Sequence, residues 1–146
     1  MPEIDAFLSP WFALEFQGKI TGAFRECSGL GSENEVVDDK AVGPDGKYRL
    51  KKLAGNLKIN NVQLKQGITD DMDMWKWRKV VEEGKINEAR KNGSLVLYSH
   101  DGREIARWNF VNAWPCKLNG PSVNATSNEI AVEELELAIE AYERVM

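Results

Sequence analysis

Short runs in which apolar and polar residues alternate, each closed by a turn signal, dominate this chain and direct most of it into antiparallel strands. Phe12, Leu14 and Phe16 alternate with Ala13 and Glu15, the period-two pattern of a strand with one buried face. Gln17-Gly18-Lys19 reads as a turn, and residues 20–28, carrying Phe24, read as the returning strand. Residues 95–98 and 104–114 repeat the arrangement around the turn His100-Asp101-Gly102. Pro115 argues against extending that last strand, and Asn119-Gly120-Pro121 marks a loop.

The alternation breaks informatively in two places. Leu57 and Ile59 share one parity and Val62 and Leu64 the other, which predicts a bulge at Asn60-Asn61. Upstream, residues 35–42 and 47–53 flank Gly43-Pro44-Asp45-Gly46, where proline presets one dihedral and glycine supplies positive φ. Both flanks are polar, so the stretch reads as an extended hairpin arm rather than core. Lys47, Arg49 and Lys51 share a parity, with Lys52 beside them, and Glu35, Asp38 and Asp39 occupy the other flank. Such a charged arm suits contact with another subunit, whose acidic residues would answer the basic row. Phosphate contact and a plain lysine-guarded edge are the competing readings.

One helix is expected over residues 71–83. Thr69 can cap it, Asp70, Asp71 and Asp73 suit the positive end of its dipole, and Gly84 can end it. Met74, Trp77 and Val81 fall on one face. Residues 85–92 are polar and read as a further helical turn. The C-terminal segment carries two patterns at once. Leu135, Ala138, Ile139 and Tyr142 have helical spacing, whereas Leu135, Leu137 and Ile139 also share a strand parity.

At 146 residues, 42% hydrophobic and 29% charged, the chain is expected to form one soluble domain spanning 1–146. A net charge of -4 disfavours a dedicated nucleic-acid binder, and six of the acids crowd into residues 128–146. Two cysteines, Cys27 and Cys116, make no disulfide framework. The opening Met-Pro-Glu-Ile-Asp-Ala lacks a leader's apolar region, so synthesis and assembly in the cytoplasm are expected. No apolar run reaches the roughly 20 residues of a membrane helix, so no membrane insertion by this chain is expected.

No catalytic, cofactor or metal site is expected. The single histidine, His100, sits in a turn, and no nucleophile elbow accompanies it. Asp70, Asp71 and Asp73 lack the spacing of a calcium loop. Cys27, Cys116 and His100 lack zinc-ligand spacing. Gly29-x-Gly31 is followed by Glu33 and Glu35, which would repel a phosphate.

Four blocks carry a resemblance. They are Gly22-Ala-Phe-Arg-Glu-Cys-Ser-Gly-Leu30, Leu64-Lys-Gln-Gly-Ile-Thr-Asp-Asp-Met-Asp-Met-Trp75, Ala106-Arg-Trp-Asn-Phe-Val-Asn-Ala-Trp-Pro115, and Asn119-Gly-Pro-Ser-Val-Asn-Ala125 running into Asn128-Glu-Ile-Ala-Val-Glu-Glu-Leu-Glu-Leu-Ala138. In order and spacing the chain resembles the inner tube proteins of contractile phage tails and phage-tail-like extracellular contractile injection systems. Ala54 and Ser127 depart from proline and glycine there. The resemblance implies a mainly β fold: a β-barrel-like sandwich of two sheets, one flanking α-helix and the extended hairpin arm. It also implies a C-terminal strand, homohexameric rings stacked into a hollow tube, and no enzyme. Its partners would be further copies, a sheath, a baseplate hub or spike, a tube terminator and luminal cargo. The alternatives are a ring protein of type VI secretion, or a small β-barrel that binds a ligand or nucleic acid.

Overall fold

The computed structural model describes residues 10–67, 72–120 and 132–146. Its contacts divide the chain into two units: Met1–Leu30 with Asn61–Met146, which is the body, and Gly31–Asn60, which is the hairpin.

The body begins with β1 (Trp11–Phe16) and β2 (Lys19–Phe24), joined by a two-residue loop as the alternation predicts. After Arg25 the chain continues as β3 (Glu26–Ser28). The hairpin supplies β4 (Ser32–Val42) and β5 (Tyr48–Ile59). Back in the body come β6 (Val62–Gly67), α1 (Asp73–Glu82), α2 (Ile86–Ala89), β7 (Lys91–Tyr98), β8 (Glu104–Asn119), β9 (Val132–Ala138) and β10 (Ala141–Arg144). Body strands pair in the order β2-β1-β7-β8-β9-β6-β3, and β10 also pairs with β8.

That path brings its two ends together. Only Arg25 separates β2 from β3, and its backbone N–H donates to the Lys65 carbonyl of β6 at 2.9 Å. One leaf is β2-β1-β7-β8-β10 and the other is β3-β6-β9-β8, so β8 serves both. The result is the expected β-barrel-like pair of sheets. β2, β3 and β10 each pair with a single strand, so each keeps one edge of the kind that invites further pairing.

β8 passes between the leaves at Asn112, which adopts φ 51°, a left-handed conformation that asparagine tolerates better than most residues. Its backbone N–H donates to Asn92 Oδ1 at 2.9 Å, and its side-chain amide donates to Glu140 Oε2 at 2.8 Å. Up to Val111 β8 pairs with β7 and β10, Ala113 still pairs with Lys91 of β7 across a register shift, and from Trp114 onward β8 pairs with β9.

The core is built from Leu14, Phe24, Leu64, Leu95, Val96 and Leu137, all essentially solvent-free. Full burial of side chains of this kind stabilises by about 1.5–3 kcal/mol each. α1 covers this core with Met74 and Trp77, and Val81 is half-buried. Trp77 meets Phe16 edge-on at 5.1 Å and donates from Nε1 to the Ala89 carbonyl at 2.6 Å. Gly84, at φ 83°, ends the helix as expected: its N–H bonds Val81 O and that of Lys85 bonds Val80 O.

Several expectations need correction. Residues 57–64 are not one bulged strand; the parity flips because β5 ends at Ile59 and β6 begins at Val62 in a different sheet. β8 continues through Pro115 to Asn119, because the proline sits at a register shift beyond the end of its pairing with β7. Residues 85–92 yield only the short α2 before β7 starts at Lys91. In the C-terminal segment the strand pattern prevails over the helical spacing. Glu133, Leu135, Leu137 and Ile139 are all buried at alternate positions.

Candidate functional site

The hairpin stands out because almost none of it is core. β4 and β5 pair only with each other among the described residues. Opposed residues are Val42–Tyr48, Ala41–Arg49, Lys40–Leu50, Asp39–Lys51, Asp38–Lys52, Val37–Leu53, Val36–Ala54 and Asn34–Leu57, with a bulge between Asn34 and Val36. Gly46, at φ 75°, turns the loop: its N–H donates to Gly43 O at 2.9 Å, and Lys47 N–H donates to the Asp45 side chain at Oδ1, 3.1 Å away.

This register sorts the side chains onto two faces, since directly opposed residues share a face. One face carries Val36, Asp38, Lys40, Val42, Tyr48, Leu50, Lys52 and Leu57. The other carries Glu35, Val37, Asp39, Arg49, Lys51 and Leu53. The sequence reading looked to another copy for partners of the basic row. Within the single chain, Lys52 Nζ already lies 2.7 Å from Asp38 Oδ1, and Arg49 Nη2 lies 3.6 Å from Asp45 Oδ2. Lys51 stands directly opposite Asp39. These pairs are exposed, and such pairs are each worth about 0–1 kcal/mol. Thr69, Asp70 and Asp71 lie outside the described residues; Asp73 occupies the first turn of α1.

The acids of the C-terminal segment are largely engaged within the body. Glu134 lies 3.5 Å from Lys65 Nζ. Glu133, although buried, accepts from Gln66 Nε2 and from Trp75 Nε1, both at 3.2 Å. Glu136 accepts from Asn61 Nδ2 at 3.1 Å, Gln63 Nε2 at 3.0 Å and the Cys116 thiol at 3.4 Å. The Asn61 hydrogen bond, above all, holds the Glu136 carboxyl below the usual carboxylate range. Burial pushes the Cys27 thiol up to about 12, and burial with the Glu136 contact pushes Cys116 up to about 11. Neither thiol is poised as a nucleophile.

Two features escaped the sequence reading. Arg107 bridges Glu15 (Nη1–Oε1 and Nη2–Oε2, both 3.2 Å) and Glu104, beside Tyr98, which stacks on Trp11 at 4.7 Å. Nothing local in the sequence signals a pair 92 residues apart. The second is the apolar set Val36, Val42, Tyr48, Leu50 and Leu57 on one hairpin face. Taking Gly43–Lys47 as a five-residue loop would have exposed it, because that pairing puts Val42 opposite Tyr48.

A sequence model of the T4-like virus tail tube protein gp19 family matches residues 8–143, nearly the whole chain. The chain belongs to that tail tube protein family. It is accordingly an inner-tube structural subunit of a phage tail or contractile injection system. No curated protein matches it in sequence. The fold recurs in solved structures. The anti-feeding prophage tube-terminating cap is 24% identical, with 92% of this chain and 87% of that one covered and a TM-score of 0.71. The PVC sheath–tube complex of an extracellular contractile injection system is 22% identical, covers 99% and 97%, and scores 0.70. Hcp1 from Flavobacterium johnsoniae is 12% identical, covers 94% of each chain, and scores 0.54. The tube protein is thus more similar in fold to the prophage and PVC structures than to Hcp1.

Proposed function

We propose that this tube subunit closes into rings of six, and that the rings stack head to tail through the hairpin into a hollow conduit. The body and hairpin then act as one tube domain over residues 1–146, which agrees with a single family match spanning both units. The observation that carries the reading is the hairpin itself. It is a two-stranded sheet of 11 and 12 residues whose side chains are almost all exposed. A lone two-stranded hairpin is at best marginally stable in water, so a neighbouring subunit is the natural source of its missing contacts. Stacking of identical rings is a heterologous contact that does not close, and it therefore propagates as a filament.

Glu35, Asp38, Asp39, Lys47, Arg49, Lys51 and Lys52 are the polar residues of this stacking arm. A sheath would surround the tube, a baseplate hub or spike would nucleate it, a terminator would cap it, and cargo would pass through the lumen. Synthesis and assembly take place in the cytoplasm, before the particle acts outside. The work is mechanical and conductive and requires no bond chemistry from this subunit. A variant in which residues 37–53 are replaced by a short Gly-Ser turn tests the division of labour. Sedimentation should show rings that no longer pellet as tubes. Full-length tubes from that variant would contradict the stacking role.

A further inference from the structure

We propose that the hairpin face bearing Val36, Val42, Tyr48, Leu50 and Leu57 is the surface that seats on the next copy of this chain, and that this contact is apolar rather than ionic. The inference rests on the tube reading and specifies the character of its stacking contact. All five side chains are more than half exposed: Val36 64%, Val42 61%, Tyr48 78%, Leu50 55% and Leu57 63%. The opposite face offers only Val37 and Leu53 as large apolar groups, both less exposed, among Asp39, Arg49 and Lys51. This face carries two exposed apolar patches, Val42 with Tyr48 and Leu50 by the turn and Val36 with Leu57 further along, on either side of the Asp38–Lys52 pair, and exposed apolar patches of this kind mark a place where something binds.

Charge and size together identify the occupant. The hairpin, residues 31–60, holds six bases and five acids, and its closest ion pair, Asp38–Lys52, is internal and lies on the apolar face. A nearly neutral surface exerts little pull on nucleic acid or on a strongly acidic peptide. The rest of the chain holds thirteen bases and eighteen acids, so a second copy meets no like-charge barrier. One face of a hairpin of this length measures roughly 37 Å by 10 Å, on the order of 400 Å². That is about half of the ~800 Å² per partner of a standard interface. A single such contact does not hold two isolated molecules together. Repeated around a ring it does, because each further contact becomes intramolecular. A repeated copy fits where a single soluble partner does not.

The test compares tube formation by three double variants, with a nucleating baseplate supplied and tubes pelleted and counted by negative-stain microscopy. Tyr48→Ser with Leu50→Ser should reduce tube mass by about ten-fold or more, as expected when buried apolar anchors are lost. The same variant should keep its native circular dichroism. Tyr48→Phe with Leu50→Met should retain most of the tube mass because it keeps the apolar area, and Arg49→Ser with Lys51→Ser, on the other face, should lose far less than the serine variant. Raising salt from about 50 to 500 mM should leave parent tubes intact, whereas an ionic contact would be screened. Where the serine variant fails to fold, a polarity-sensitive fluorophore on Tyr48→Cys provides the readout: its emission should shift to the blue on assembly. Normal tubes from the serine variant, tubes dissolved by salt or abolished by Arg49→Ser with Lys51→Ser, or an unshifted fluorophore in tubes would each overturn the inference and leave the tube reading standing. Absence of tubes from the parent chain would overturn both.

Discussion

Glu15 and Arg107 meet only because β1, β7 and β8 fall into register, and together with Glu104 they form a polar knot at a strand end. Both partners are largely shielded, with side chains 14% and 23% exposed. Removing one partner of a fully buried pair costs about 3–5 kcal/mol; with this residual exposure Glu15→Gln should cost about 1–3 kcal/mol. The double variant Glu15→Gln with Arg107→Met should recover part of the loss, and urea denaturation measures both. A single loss below the error of that titration would show that the knot contributes nothing. Glu136 gives a pH-dependent counterpart. Its folded-state pKa is depressed, so its stabilising contribution is fully present above the ordinary carboxylate value of about 4.3 and disappears as pH falls through the folded value. Glu136→Gln should therefore flatten the acid limb of Tm against pH and leave the neutral region little changed. An unaltered acid limb would contradict this assignment.

Among the elements, α1 shows how a short helix is held by one residue. Trp77 packs on Phe16, donates to Ala89 and is buried to 6% exposure. Trp77→Ala should cost about 3–5 kcal/mol by cavity formation, seen as a drop in thermal midpoint. A change within 1 kcal/mol would mean that α1 does not cover the core as described. The helix was legible in the sequence because Met74, Trp77, Val81 and Gly84 are local signals. The hairpin arm was legible too, because Gly43-Pro44-Asp45-Gly46 sits between polar flanks. The C-terminal segment was ambiguous because Leu135 and Ile139 satisfy both periodicities. Pairing with β6 and β8 decides it, and pairing partners are not encoded locally. The same limit applied to Asn60-Asn61, where parity flips at a change of sheet, and to the two hairpin faces. Charge parity drew attention to Arg49 and Lys51, while cross-strand register places Tyr48 and Leu50 on the more apolar face.

At the scale of the whole molecule, the body is a barrel-like pair of sheets with its core filled, and the hairpin is a sheet without a core. A chain built this way reaches its lowest free energy only in company. Buried apolar surface contributes roughly 25 cal/mol per Å², so the hairpin's exposed valines, leucines and tyrosine favour assembly repeatedly along a filament. Assembly should accordingly be steeply concentration-dependent and should hold the hairpin amides against hydrogen exchange. In the isolated chain those amides should exchange freely, while the barrel amides of β7 and β8 stay protected. The central claim is that this subunit makes a stacked tube of rings. Cryo-electron microscopy of the purified chain, alone at high concentration and beside a nucleating baseplate, tests it most directly. The account predicts hollow tubes of stacked rings with six-fold end views and the hairpin seated on the adjacent ring. Monomers alone under both conditions, or filaments in which the hairpin touches no neighbour, would contradict it.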